Sequence, residues 1–265
     1  MEVTYIDHMG NDLSVVNAAR VSFSKRSDWI RNENDAGVEL SAPRLSKGDI
    51  SLIQFLARGC TSHDWTNYLD EIAEEGWNLE VGEFTSPAQL ESLVEYLKAM
   101  PTHWTPFGHT AISIHCKAPI YIARQLGKHQ VGFVWNEVSR RYVADPPTFD
   151  FPTYWRQAAP NVKQGSLEEP VAAHVINDNV ARQECAVAAS QYHYRIKQGL
   201  CAEQARMMLP QNMNTEWIWT GNLYAFANLY VQRSNPHAQK EVREFAYTLR
   251  EVIEPLFPIS WEALT

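Results

Sequence analysis

The chain has 265 residues, 45% of them hydrophobic and 20% charged, with a formal net charge of −8. This is globular composition on a chain long enough for a sizeable core, and it excludes a disordered protein. The acidic balance excludes a general nucleic-acid binder, whose phosphate contacts need a basic surface.

Val3, Tyr5 and Ile6 predict a short strand ended by a turn over 8–12. Asp12 then stands where it can cap a helix through Leu13, Val16 and Ala19. Residues 24–48 read as a polar loop, and Ile50, Leu52, Ile53, Phe55 and Leu56 mark a helix. Residues 59–100 hold an acidic helical stretch over 68–75 and a second helix over 87–100, with Leu90, Leu93, Val94 and Leu97 at three- and four-residue spacing. The stretch 109–123 alternates and is rich in isoleucine, which predicts a strand broken at Pro119. Residues 124–143 read as a mixed polar loop. Helices are predicted over 179–197, 202–208, 215–230 and 238–253, the last of them closed by Pro255 and Pro258. With no repeat and no linker, the expectation is one α+β domain over 1–265 with more helix than strand.

The N-terminus MEVTYIDHMGND has neither the basic nor the apolar region of a signal peptide, and no apolar run reaches bilayer length. Cys60, Cys116, Cys185 and Cys201 form no CxxC pair. These features predict a reduced, cytoplasmic protein without membrane attachment. Neither GxGxxG nor GxxxxGK[ST] occurs, so a nucleotide cofactor would be held by another route, and no GxSxG elbow is present.

Two stretches could carry chemistry. Residues 117–143 hold Lys117, Arg124, Lys128, Arg140 and Arg141 against Glu137 alone, five cations to one carboxylate, a local charge of +4 in an acidic chain. Such focusing suits a phosphate, and Gln125, Asn136 and Ser139 add neutral hydrogen-bonding groups, although a solvated loop would look the same. Further on come Ala205-Arg206-Met207-Met208-Leu209-Pro210, Thr215, Asn222, Asn228 and Arg233. The last three do not share one tight helical face, and the two asparagines read as polar positions on an amphipathic helix. His103, His109 and His115 recur every six residues, without a carboxylate or cysteine at ligand spacing, so no metal site is expected. Trp217, Trp219, Tyr224 and Tyr230 read as core or interface rather than a stacking platform.

In order along the chain, these pieces resemble the flavin-dependent thymidylate synthases. Residues 9–14 and Ala18-Ala19-Arg20-Val21-Ser22-Phe23 resemble the family's N-terminal segment, and His103-Trp104-Thr105-Pro106-Phe107-Gly108-His109 resembles its H-x-[ST]-P-F-E-H segment. Asn136-Glu137-Val138-Ser139-Arg140-Arg141-Tyr142 fits the second half of R-H-R-x-x-S-x-N-E-x-S-x-R-Y. Arg206, Leu209-Pro210, Thr215, Asn222, Asn228, Arg233 and His237-Ala238-Gln239 match the C-terminal segment without a gap. There are departures. R-H-R reads Lys128-His129-Gln130, with one extra residue before Asn136 and the first serine missing. The family's glutamate is Gly108, its arginine two residues after Asn222 is Tyr224, and 59–100 looks like a helical insertion. The Lys-His-Gln variant resembles a divergent, virus-encoded branch, whose cytoplasm would be a host's.

The resemblance implies an α+β fold with a central, mostly antiparallel sheet flanked by helices. It also implies conversion of dUMP to dTMP with FAD as hydride carrier, NADPH as its reductant and methylenetetrahydrofolate as carbon donor, with no cysteine attacking the uracil. Arg233 would be the catalytic residue at the uracil edge. Ser139, Arg141 and Arg206 would hold the phosphate, and Gln125, Lys128, Glu137, Val138 and Arg140 would complete the nucleotide pocket. Ser22, His103, Thr105, Lys128, His129, Gln130, Glu137, Asn222, Tyr224 and Asn228 would line FAD. The family builds its sites between subunits of a homotetramer. Two other readings stand beside this one: the same fold with altered pyrimidine chemistry such as hydroxymethylation, motivated by the changed flavin segment, and a non-catalytic nucleotide-binding homologue.

Overall fold

The computed structural model describes residues 1–33, 39–61, 103–160 and 165–265. The predicted helices over 68–75 and 87–100, and with them nearly all of the expected insertion, lie outside the described residues. In chain order the elements are β1 (Glu2–Met9), α1 (Asp12–Arg20), β2 (Ile30–Glu33), β3 (Glu39–Arg44), α2 (Lys47–Ala57), α3 (Thr105–Gly108), β4 (Ala111–Pro119), α4 (Ile120–Leu126) and β5 (Phe133–Glu137). They continue with β6 (Arg156–Ala158), β7 (Ser166–Pro170), α5 (Asp178–Lys197), α6 (Ala202–Ala205), β8 (Asn214–Gly221), α7 (Leu223–Ser234), α8 (Lys240–Ile253) and α9 (Pro258–Leu264). This is the expected α+β class. Among the described residues no helix is long and apolar enough to cross a membrane, and no group of His, Cys, Asp and Glu could hold a metal ion.

Contacts group the chain into two compact units, each drawn from three stretches. Residues 1–7, 113–220 and 233–252 form the first, and residues 8–112, 221–232 and 253–265 the second.

The first unit is built on a four-stranded sheet in the order β1-β4-β8-β5. Along β4, Ile114, Cys116 and Ala118 are buried and Ser113, His115 and Lys117 are not; β8 alternates in the same way, burying Thr215, Trp217 and Trp219. Period-two alternation on both strands gives one apolar face and one polar face. On the polar face Ser113 and Thr220 share a hydrogen bond of 2.8 Å, and His115 and Lys117 each reach Glu216 at 3.4 Å. On the apolar face Trp217 stacks on Trp135 of β5 at 4.3 Å and on Phe245 of α8 at 6.0 Å. Helix α8 buries Val242, Phe245, Ala246 and Leu249, the i, i+3, i+4, i+7 stripe of a core-facing helix. Each of its large side chains contributes about 1.5–3 kcal/mol by leaving water. The helix predicted over 215–230 is therefore two elements, strand β8 and helix α7. Trp217 and Trp219, two residues apart, share a strand face that a helix could not give them.

In the second unit Asn11 is the N-cap of α1, its side chain accepting from Ser14 N at 3.1 Å while the Ser14 hydroxyl oxygen accepts from Asn11 N at 3.1 Å. Asp12, expected as that cap, serves another helix. Its buried carboxylate accepts from the backbone N–H of Ile259 (3.0 Å) and Ser260 (2.9 Å) in the first turn of α9. Pro258, expected as a terminator, is the first residue of that helix, where its missing N–H costs nothing. Residues 24–48 contain the antiparallel strand pair β2 and β3, which is irregular in register. Ser46 caps α2, and Val15, Ile53, Leu56, Phe107, Phe226, Leu229 and Trp261 fill the core.

Candidate active site

In the first unit the strand β4 ends at Pro119, and the chain turns at once into α4. Residues 120–123, expected as the second half of a strand, are helical. This brings Gln125 to the end of α4 and sets Lys128, His129 and Gln130 in the turn before β5. The expected loop 124–143 thus holds a helix end and an edge strand. Lys128, His129, Gln130 and Glu137 line one cavity of about 640 Å³, together with Phe133 and Trp135. Glu137 is fixed there by Thr215, whose hydroxyl donates to its carboxylate at 2.5 Å.

Arg233, in the last turn of α7, donates from Nε to His129 Nε2 at 2.8 Å and from a terminal nitrogen to the Gln125 carbonyl at 3.4 Å. Burial, and then the adjacent guanidinium, press the His129 pKa down to about 4. The imidazole is therefore neutral near pH 7 and accepts the bond. Burial also lowers the pKa of Arg233, and no carboxylate among the described residues pairs with it. The result is a half-buried cation aimed by two neutral acceptors, with charge left over for a ligand.

Beneath it runs a network that the sequence did not signal. The Gln125 side chain donates to Gln239 at 2.7 Å, and Gln239 donates to Glu241 at 2.8 Å. Glu241 holds Arg156 by two contacts of 2.9 and 3.0 Å. Burial would raise the Glu241 carboxyl, but the bonds from Arg156 and Gln239 outweigh it and hold it below its ordinary value. The resemblance named Gln125 and the segment His237-Ala238-Gln239 within this network; Arg156, 85 residues from Glu241, carried no signal.

The other expected nucleotide residues stand apart. Ser139 and Arg141 meet each other, Arg141 Nε donating to Ser139 Oγ at 3.1 Å. Arg140 donates to the Asp145 carbonyl and lies over Tyr192. The exposed Val138 uses its N–H on the Glu216 carbonyl. Arg206 is exposed and donates to the Glu203 carbonyl; no hydrogen bond among the described residues joins it to Ser139 or Arg141.

The second unit carries the remaining expected cofactor residues. Ser22, His103 and Thr105 line a cavity of about 540 Å³ with Phe23, Phe55 and Leu52. Arg20 and Lys25 also border it. Arg20 is engaged by Asp49 at 2.6 Å; burial raises that carboxyl, but Ser46, Ser27 and Arg20 together bring it below its ordinary value. Asn222, Tyr224 and Asn228 do not line this cavity. Asn222 caps α7 by accepting from Ala225 N at 2.8 Å, and Asn228 donates to the Tyr224 carbonyl. The Tyr224 ring stacks on Trp104 at 5.3 Å. Of the four cysteines, Cys60, Cys116 and Cys185 are buried and Cys201 is exposed, and none borders the Arg233, Lys128 or His103 cavities. Burial pushes the Cys116 thiol up, away from the thiolate.

Comparison with known proteins agrees with this picture. The family model for thymidylate synthase complementing proteins matches residues 4–259. A protein of Thermus thermophilus named flavin-dependent thymidylate synthase is 29% identical over 229 residues, 84% of this chain and 78% of that protein. One of Pseudothermotoga lettingae with the same name is 24% identical over 261 residues, 98% of this chain and 88% of that protein. Among solved structures, the UMP/dUMP methylase PolB from Streptomyces cacaoi, bound with 5-Br dUMP, matches with a TM-score of 0.65 at 23% identity, covering 99% of this chain and 93% of that one, a likeness of fold. The chain belongs to the family of thymidylate synthase complementing proteins.

Proposed function

We propose that the protein is a flavin-dependent thymidylate synthase that methylates dUMP to dTMP. The observation that carries this reading beyond family membership is Arg233, a half-buried guanidinium oriented by His129 and Gln125, with no carboxylate partner among the described residues.

The donor sets fit FAD. Lys128, Gln130 and the neutral His129 beside Trp135 and Phe133 offer polar contacts next to aromatic walls. In the second unit Ser22, Thr105 and Lys25 offer hydroxyls and a cation beside Phe23, Phe55 and Leu52. That mix suits the phosphates and rings of a dinucleotide. We assign Ser22, His103, Thr105, Lys128, His129, Gln130, Glu137, Asn222, Tyr224 and Asn228 to it. FAD, reduced by NADPH, would supply the hydride that the new methyl group requires and side chains cannot provide, while methylenetetrahydrofolate supplies the carbon.

The chain's own residues bind and polarise the nucleotide. Arg233 holds the uracil edge and stabilises negative charge developing on the ring oxygen; a preoriented cation in a partly dry site is worth more to the transition state than to the ground state. Ser139, Arg141 and Arg206 grip the phosphate by charge-assisted bonds, and Gln125 with the backbone of 137–140 completes the pocket and fixes the ring. Arg141 and Arg206 are exposed, Ser139 is half-buried, and among the described residues no hydrogen bond joins them to Arg233, which suits a site completed by other subunits of a homotetramer. A reducing, cytoplasmic location is part of the same proposal and is supported by four cysteines that are all free thiols.

The test is product mass and spectrum together. Purified protein with dUMP, methylenetetrahydrofolate and NADPH should yield dTMP, and its flavin absorbance should shift on adding dUMP. A protein that takes up no FAD, or a product carrying hydroxymethyl in place of methyl, would overturn the reading.

A further inference from the structure

Beside the Arg233 cluster, in the same unit, lies a cavity of about 500 Å³. Of the residues assigned above to nucleotide or flavin, only Gln125 and Arg233 border it. Among the described residues four cations line it: Arg156, Arg233, Lys240 and Arg243. Arg156 is neutralised by Glu241. Glu168 must serve both Lys240, at 3.1 Å, and Arg243, at 3.6 Å. Four cations against two carboxylates leave two positive charges. One sits on Arg233 and the other is shared by Lys240 and Arg243.

The excess shows at Arg243, since Lys240 also donates to Tyr154 Oη at 2.8 Å and lies over the Tyr154 ring. Arg243 Nε is buried and has no hydrogen-bond partner among the described residues. An unmet buried donor has lost its hydration with nothing to offset the loss. Both residues also stand at the start of the 14-residue helix α8, whose N–H groups carry positive potential of their own. Cations placed there work against the helix and favour an anion beside it.

The geometry points to a carboxylate site at Lys240 and Arg243, and, resting on the thymidylate synthase reading for the ligand's identity, to the glutamate tail of the folate co-substrate. A folate that brings its one-carbon group to the uracil at Arg233 carries its carboxylates away from that point. The cavity connects Arg233 to a second cationic cluster through the internally satisfied chain of Gln125, Gln239, Glu241 and Arg156. The net charge of one at Lys240, Arg243 and Glu168 matches one carboxylate better than a phosphate dianion. The nucleotide phosphate has its own candidates in Ser139, Arg141 and Arg206, and Ser166, which accepts from Arg156 at 2.7 Å, keeps its hydroxyl proton for the carbonyl of a tail amide.

The experiment is equilibrium binding of p-aminobenzoylglutamate, the tail without the pterin, to the full-length protein, with its diamide as the uncharged control. Wild type should bind the acid and not the diamide. Lys240→Gln and Arg243→Gln should each weaken binding about tenfold, the loss expected for one charge-assisted bond, and Arg243→Lys should recover most of it. Lys240 is accessible enough that its replacement leaves folding intact, which a thermal melt checks. In turnover the same two variants should raise KM for methylenetetrahydrofolate and not for dUMP. Equal binding of acid and diamide, insensitivity to both variants, or a KM effect on dUMP alone would overturn the assignment. A protein that makes dTMP but shows one of these results loses only this proposal. One that binds the tail through Lys240 and Arg243 but makes no dTMP loses the catalytic reading instead.

Discussion

Arg233 and His129 face each other across 2.8 Å, guanidinium Nε to imidazole Nε2, and only a neutral imidazole can accept that bond. The histidine titrates near 4 in the folded protein against an ordinary 6.5. A depressed pKa means that the unfolded chain takes up the proton first. The contribution of His129 to stability is therefore complete above pH 6.5 and is lost as pH falls toward 4. Urea unfolding at pH 7.5, 6, 5 and 4 should show this loss in wild type and a shallower one in His129→Gln. Parallel pH profiles for the two proteins would mean that the imidazole is not held neutral.

Replacing Arg233 separates its two neighbours from its ligand. Arg233→Ala should lower kcat/KM about 10²–10³-fold, the usual cost of removing one donor aimed at developing charge. Flavin absorbance should fall far less. Arg233→Lys should not restore turnover, because an ammonium cannot reach the imidazole, the Gln125 carbonyl and a ligand oxygen in one plane. Turnover within a fewfold of wild type in either variant would remove Arg233 from the chemistry.

How much of this was legible in the sequence depended on which signal was local. Helix α2 follows from its apolar spacing, with Ile53 and Leu56 buried as that spacing requires. Strand β8 was obscured because Thr215, Trp217 and Trp219 run into the apolar residues of α7 with no Pro or Gly before Gly221, and a continuous apolar run fits either period. The pair β2 and β3 has polar strands that no alternation could reveal. Within the site, motif order placed Gln125, His129 and Arg233, which the fold brings together. The Arg156–Glu241 pair had no such trace, because a buried ion pair between distant residues leaves no periodicity behind.

Asp12 illustrates a contact of the same distant kind, 247 residues from Ile259. Its carboxylate satisfies two N–H groups of α9 that proline cannot cap, so Asp12→Ala should destabilise the protein by about 2–3 kcal/mol. For a chain of this size each kcal/mol corresponds to roughly 2–4 °C in Tm. Asp12→Asn, which keeps one carbonyl oxygen, should lose about half as much. A melting temperature unchanged in Asp12→Ala would show that α9 needs no cap from α1.

The Arg156–Glu241 pair makes an opposite forecast for single and double changes. Glu241→Gln leaves the Arg156 guanidinium buried with a weaker partner, and removing one side of a buried pair costs about 3–5 kcal/mol. The double change Arg156→Met with Glu241→Gln should cost less than Glu241→Gln alone, since no orphan charge remains. Calorimetric melts of the three variants decide it; simple additivity would mean that the pair is solvated and contributes little.

The departures at Gly108 and Tyr224 form one linked change around Trp104. A Cβ at position 108 would lie 3.0 Å from Trp104 Cζ3, while the other side of the relationship is the stack of Trp104 on Tyr224. Where the family has a glutamate and an arginine, this chain has an aromatic pair with room made for it by a glycine. Gly108→Glu should therefore displace the Trp104 ring and forfeit the stack, costing about 0.5–1.5 kcal/mol beyond any change in helix propensity. Tyr224→Arg forfeits the same stack from its other face. With the stack already lost, the second substitution should cost less than it does alone, a coupling of about 0.5–1.5 kcal/mol in a double-mutant cycle read by urea unfolding. In a Trp104→Ala background the coupling carried by the ring should vanish. Costs that add to within about 0.3–0.5 kcal/mol in the wild-type background would show that the two positions changed independently.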